Sequence, residues 1–182
     1  MITSTTTLVP DNPAAAYAAY RQAASAVFLA GTQGLKYKKD HYDLAVDLSK
    51  AGMQYIEERE DDIVIGAMTP LWQIKISPVI QEFAGGAISK AISDVADKNV
   101  QRYGTLGGVI SGKAPFSVLL PILLSLHVDV QLQDKGCMSL DDYLHCPPMG
   151  ELVTGISIAK EAVYTAYKAY RKLPADEPYL VG

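Results

Sequence analysis

The chain is poor in the residues that hold inorganic centres. It has two cysteines, Cys137 and Cys146, and three histidines, His41, His127 and His145, among 182 residues. Neither cysteine belongs to a CxxC, so no structural zinc or iron–sulfur cluster held by this chain alone is expected. The histidines are scattered and no motif brings them together, which argues against a nucleophile–base set. Excess charge of one sign is also missing. Sixteen Lys+Arg against 20 Asp+Glu leave a net charge of −4, and a nucleic-acid binder needs a basic surface to neutralise phosphates. The N-terminal run MITSTTTLVPDNP has neither a basic nor an apolar segment, so no secretory signal is expected. The longest apolar run, Phe116 to Leu126, is too short to span a bilayer and carries Pro121. A cytoplasmic protein without nucleic-acid or membrane partners follows as the expectation.

What is present is an ordinary folded composition, 49% hydrophobic and 20% charged, long enough for one domain or two small lobes. Glycine gathers in two places. The stretch Arg102 to Pro121, RYGTLGGVISGKAPFSVLLP, holds Gly104, Thr105, Gly107, Gly108 and Gly112 between an amphipathic pattern and an apolar run. Far upstream, Leu29-Ala30-Gly31-Thr32-Gln33-Gly34-Leu35 follows the apolar run Ala26–Leu29. Glycines so spaced let a backbone approach a ligand and present its N–H groups, as phosphate-binding turns do. The two turns are expected to clasp one phosphate-bearing ligand from opposite sides. Lys36, Lys38 and Lys39 beside the first turn read as a solvated face or as anion-steering charge.

Along the chain, Asp11-Asn12-Pro13 predicts a capped helix over Ala14–Ala24, with Tyr17 and Tyr20 on its buried face. Ala26–Leu29 reads as a short strand, Asp43–Leu48 as another, and Met53–Glu57 with Ile63–Met68 as a hairpin around an acidic turn. Thr69-Pro70 and Ser77-Pro78 open two short helices, and Trp72 on the first is expected in the core or between lobes. Ala87–Val100 reads as one amphipathic helix, and Ser117–Leu126 as a buried helix bent or restarted at Pro121. Val128–Leu132 and Glu151–Ile158 read as strands, Ser139–Leu144 as a capped helix, and Ala162–Lys172 as helical or extended. Without regular βαβ alternation or GxGxxG, the class is α+β in two lobes, not Rossmann. The expected division is 1–70, 71–160 and a tail, 161–182.

The segments LAGTQGLKYKK, DLAVDLS, DDIVIGAMTPLWQI, VQRYGTLGGVISGKAPFSVLLPILLSL, SLDDYL and ELVTGISI, in this order, resemble the FAD-binding subunit of the molybdenum hydroxylases, the xanthine dehydrogenase and carbon monoxide dehydrogenase flavoproteins. The DYL-x-C-P run at Asp142–Pro147 is similar to the purine-hydroxylase branch. The resemblance implies a two-lobed FAD-binding domain of the PCMH or vanillyl-alcohol-oxidase type. In the family, A-G-G-T-D-L and T-I-G-G-N turns give backbone amides to the FAD pyrophosphate. It implies a first cradle of Leu29, Ala30, Gly31, Thr32, Gln33, Gly34 and Leu35 and a second of Gly104, Thr105, Gly107 and Gly108. By the same resemblance Ser117 matches a position near the adenosine, Val153 a contact near the flavin, and Lys172, or in its place Lys168, a lysine beside the isoalloxazine.

The chain departs from that pattern at Thr32, Gln33, Val109 and Val118, the last standing where the family often has an aspartate. Each neutral hydrogen bond forgone in this way weakens FAD binding by roughly 0.5–1.5 kcal/mol. Family subunits carry a further C-terminal domain, and this sequence stops at Asp176–Gly182 about where that domain begins, so a truncated or reduced member is expected. The resemblance implies electron transfer through FAD to NAD⁺ or another acceptor. Molybdopterin and iron–sulfur clusters would sit in partners, a molybdenum-binding large subunit and an iron–sulfur small subunit. The rival readings are a scaffold module that kept the fold and lost the flavin, and an unrelated phosphate-binding enzyme.

Overall fold

The computed structural model describes residues 2–31, 35, 39–95, 97–112, 117–161, 165–170 and 180–181. The first unit is a three-stranded parallel sheet in the order β1-β3-β2, from β1 (Thr3–Leu8), β2 (Ala26–Leu29) and β3 (His41–Asp47). Helix α1 (Pro13–Gln22) connects β1 to β2. Its start follows from local chemistry: Asn12 Oδ1 accepts the Ala15 N–H at 2.8 Å and Pro13 occupies the first turn, a cap worth about 1 kcal/mol. Tyr17 and Tyr20 lie on the face that packs on the sheet, and Tyr20 stacks on Phe28 with ring centroids 4.2 Å apart.

The second unit is a five-stranded antiparallel sheet in the order β4-β5-β8-β6-β7, from β4 (Ile56–Glu58), β5 (Asp62–Gly66), β6 (Val128–Leu132), β7 (Gly136–Ser139) and β8 (Val153–Ala159). Its register makes the core. Ile63, Ile158 and Val128 form one cross-strand row, and Ile65, Ile156 and Val130 the next. Helices α2 (Leu71–Ile76), α3 (Pro78–Glu82), α4 (Ala87–Ser93), α5 (Lys98–Tyr103), α6 (Leu106–Gly112), α7 (Leu119–Leu124) and α8 (Leu140–His145) follow the hairpin or the strands. Leu71, Ile74, Ile80, Ile88, Ile92, Leu106, Ile110, Leu119 and Leu123 bury their side chains with these rows. A short pairing of β9 (Ala169–Tyr170) with β10 (Leu180–Val181) lies toward the end.

The architecture is α+β, as the patterning suggests, with two main sheets beside the short β9–β10 pairing among the described residues, and several local expectations are revised. The boundary expected at residue 70 lies between β5 and α2, and β4 and β5 share one sheet with β8 and β6. Strand β1 is not foreshadowed by the sequence pattern, because TSTTTL lacks apolar alternation. Five of its six residues are exposed, and the β-branched threonines supply the extended preference. The single helix expected over Ala87–Val100 is two. Asp97 is extended (φ −80°, ψ 113°), and its side chain accepts the Asn99 N–H at 2.8 Å to start α5. Gln101, 6% exposed, donates through Nε2 to the Val95 carbonyl between them at 2.6 Å. Pro121 neither bends nor restarts α7, because it lies in the first turn, where its missing N–H has no helical partner. Trp72 is 43% exposed on α2 instead of filling the core. Of the stretch expected as a glycine loop, Leu106–Gly112 is helical. Among the described residues no helix is long and apolar enough to cross a membrane.

Candidate functional site

The second glycine turn is braced from behind. Pro70 and Thr105 form an isolated antiparallel bridge, flanked by Leu71 N–H to Gly104 O at 2.9 Å and Leu106 N–H to Thr69 O at 3.1 Å. Gly107 N–H donates to Ala67 O at 2.8 Å, and a Cβ on Gly107 would lie 2.8 Å from the Ala67 Cβ. Thr69, wholly buried, holds the brace itself: its Oγ1 accepts the Tyr55 N–H at 3.1 Å and donates to Tyr55 O at 3.0 Å. Thr105 caps α6, its Oγ1 accepting the Gly108 N–H at 3.2 Å. Gly104 N–H closes α5 on Val100 O at 2.8 Å. Four amides of this turn, those of Gly104, Leu106, Gly107 and Gly108, therefore already serve the fold. The N–H of Thr105 has no acceptor among the described residues. Flanked by those two bonds, it points away from the Pro70 strand.

The first turn comes to meet this one. Leu29 ends β2 opposite Asp47, and Ala30 and Gly31 carry the half-buried chain on. A Cβ at Gly31 would stand 1.9 Å from the carbonyl oxygen of Tyr103, 2.9 Å from its carbon and 3.1 Å from the Gly104 Cα. The two sequence-distant turns are thus in backbone contact, and glycine is what allows it. Gly108 is exposed, with only Thr105 Oγ1 among the described residues within 4 Å of a built Cβ, so among them space remains open on its outer side.

The other expected site residues are dispersed. Leu35 is half-buried. Ser117 accepts the Leu120 N–H at 3.3 Å, a local bond at the start of α7. Val153 is 4% exposed and packs in the main core. Thr32, Gln33, Gly34 and Lys172 lie outside the described residues, as do Lys36 and Lys38. Lys168, the alternative to Lys172, sits 4.8 Å from the ring centroid of Tyr170. The histidines have separate neighbours: His41 contacts Thr3 and Thr5, His127 lies 2.9 Å from Glu161, and His145 lies 3.4 Å from Asp141. Both cysteines are free and exposed, and no metal-holding group of three or more His, Cys, Asp or Glu occurs among the described residues.

A family model described as the FAD binding domain in molybdopterin dehydrogenase matches residues 3–160, which include both glycine turns. The chain belongs to this family. A curated relative is the uncharacterized protein YgfM of Escherichia coli (strain K12), 29% identical over 124 residues that make up 67% of this chain and 46% of that protein. The chain spans about half the length of the curated relatives it matches. Quinoline 2-oxidoreductase from Pseudomonas putida 86 has the same fold, with a TM-score of 0.87 at 18% identity over 100% of this chain and 66% of that one. Reconstituted CO dehydrogenase from Oligotropha carboxidovorans matches with a TM-score of 0.82 at 24% identity over 98% and 66%. CO dehydrogenase from Hydrogenophaga pseudoflava matches with a TM-score of 0.82 at 22% identity over 94% and 65%.

The seam suits the diphosphate of the FAD that this molybdopterin dehydrogenase family binds. It is made of main chain where a Cβ would collide, it has open space outside Gly108, and it keeps the Thr105 N–H available among the described residues. Sequence reasoning missed what positions it, namely the brace of Ala67, Thr69 and Pro70 and the Tyr103 carbonyl. The Thr-Pro at 69–70 was visible only as a helix start.

Proposed function

We propose that this chain holds FAD between its two sheets as the electron-transfer subunit of a molybdenum hydroxylase-type dehydrogenase. The observation that carries the reading is the backbone contact of Gly31 with Tyr103 and Gly104. The diphosphate is assigned to the first turn, Gly31 through Gly34, and to the Thr105 N–H of the second, with Gly108, whose own amide is bonded to Thr105 Oγ1, leaving the space beside it open. Leu29, Ala30 and Leu35 shape the first turn, while Gly104 and Gly107 act by letting main chains approach. Ser117, Val153 and Lys172 complete the set by family resemblance alone. FAD supplies the redox chemistry when bound, and the chain supplies position, local electrostatics and exclusion of water. A molybdenum-binding subunit and an iron–sulfur subunit are the proposed partners, with electrons passing from the iron–sulfur clusters through FAD to a terminal acceptor. No described residue selects NAD⁺ over another acceptor.

A second reading, a scaffold subunit without flavin, is favoured by one observation: the Gly107 and Gly108 amides are already bonded within the fold. Val109 and Val118 point the same way. A visible spectrum of the purified protein, before and after titration with FAD, separates the two. The flavin reading expects yellow protein, or a bound-flavin spectrum that saturates on titration. Colourless protein that ignores FAD, both alone and when co-expressed with molybdenum and iron–sulfur partner chains, contradicts it.

A further inference from the structure

We propose that Glu151 is a positioning residue for this site: its carboxylate ties α1 to the turn between β6 and β7 and so fixes the angle at which Gly31 meets Tyr103 and Gly104. The inference rests on the proposed function only for its flavin readout. The tie has two ends. The Tyr17 hydroxyl on α1 donates to Glu151 Oε1 at 2.8 Å, across 134 residues of sequence. The Asp134 N–H, just after β6, donates to Glu151 Oε2 at 3.3 Å. One side chain therefore bridges the parallel sheet's helix and the antiparallel sheet's turn.

The backbone around it is shared in the same way. Leu152 O accepts the Gln133 N–H at 3.0 Å, so the main chain belongs to the five-stranded side. The Leu152 side chain, 3% exposed, instead packs with Ala16, Tyr17, Val46, Leu48 and Ala51 of the three-stranded side. Gly150 before it has φ of +71°, a conformation that favours glycine, and a Cβ there would stand 3.7 Å from the Tyr20 ring. Apolar packing of Leu152 holds the two sides together but is non-directional. The Tyr17 bond to the carboxylate at 2.8 Å is directional and stronger than a neutral one, so it sets the angle, while the longer Asp134 contact at 3.3 Å orients the carboxylate. Tyr17 is a donor through neutral pH as any phenol is, and its bond to Glu151 and then its burial push its pKa above the ordinary tyrosine value.

The seam at Gly31 and the tie at Glu151 are separate contacts between the same two sides. With both made, relative rotation is restricted; with the tie cut, the seam and the non-directional Leu152 packing remain, and the sides can turn enough to spread the turns. The test uses the full chain with spin labels on native Cys137, which is exposed, and on Thr6→Cys of β1, in a Cys146→Ser background. Tyr17→Phe and Glu151→Ala are expected to broaden the distance distribution between labels. Both are expected to weaken FAD binding about ten-fold, the scale of one charge-assisted bond. Glu151→Gln keeps an acceptor for the phenol and should fall between them and the wild type. Ser139→Ala removes the cap of α8, whose Oγ accepts the Asp142 N–H at 3.1 Å, and should lower thermal stability with distances and affinity unchanged. A narrow, wild-type distribution in Tyr17→Phe and Glu151→Ala refutes the tie, whatever the flavin does. Broadened distances with wild-type FAD affinity refute the positioning role. Broadened distances in a protein whose wild type binds no FAD refute the proposed function and leave the tie standing.

Discussion

Gly31→Ala is expected to reduce FAD affinity by ten- to a hundred-fold and to lower the unfolding temperature, the largest functional loss of any single methyl added to this chain. The added carbon would lie 1.9 Å from the Tyr103 oxygen and 2.9 Å from its carbonyl carbon. Both are main-chain atoms at the end of α5, and Gly104 N–H to Val100 O pins the next residue. No flexible side chain can give way, so the two turns must separate. Overpacking of this kind costs about 1–3 kcal/mol and occasionally more, and every 1.4 kcal/mol that falls on binding is a factor of ten. Gly31 has no left-handed φ, so the barrier to alanine is space and not backbone conformation. Gly112→Ala is the matched control: among the described residues nothing lies within 4 Å of its built Cβ at the end of α6, and alanine there should be neutral or slightly stabilising. Titration of both variants with FAD checks the contrast. Equal affinities would show that the close approach at Gly31 is irrelevant to binding.

Ile156→Ala is expected to have the largest effect on stability. Ile156 is 0% exposed on β8, in the cross-strand row between Ile65 and Val130. Its neighbours in that row are held by hydrogen bonds on both sides, so the vacated volume cannot collapse easily. Removing an isoleucine side chain from such a core costs about 2–5 kcal/mol, which a urea or thermal unfolding curve reads directly. The folded fraction should keep near-wild-type FAD affinity, because the row belongs to the helix-covered core and not to the seam. A loss below about 1 kcal/mol would mean that the site relaxes, contrary to the tight packing expected of interiors.

Much of the fold was legible because short-range rules carried it. The Asn12-Pro13 cap, the acidic hairpin between β4 and β5, the Ser139 cap of α8 and the alternation of Val128–Leu132 all depend on neighbours within a few residues. The exposed threonine strand β1 was not legible, since it is stabilised by its pairing with β3 and not by an apolar stripe. Ala87–Val100 kept a helical period across its break because both halves bury the same face, while the capping of Asp97 decides the break locally.

The glycine turns were legible as a pair, but their chemistry was only half so. From sequence, Gly104, Gly107 and Gly108 read as donors of N–H groups. In the structure the first two are mainly sites of close approach, and their amides bond to Val100 O and Ala67 O. The partners that reveal this are far apart in the chain, as Glu151 is from Tyr17, and no local pattern encodes them.

The most direct test of the central claim is to follow the backbone amide resonances of Gly31 and Thr105 while FAD is titrated into isotopically labelled protein. If one diphosphate lies across both turns, the two resonances shift together with a common midpoint, and the Asp134 amide at the tie moves little. If either turn stays silent while FAD binds, or if the two respond at different midpoints, the turns do not share a ligand.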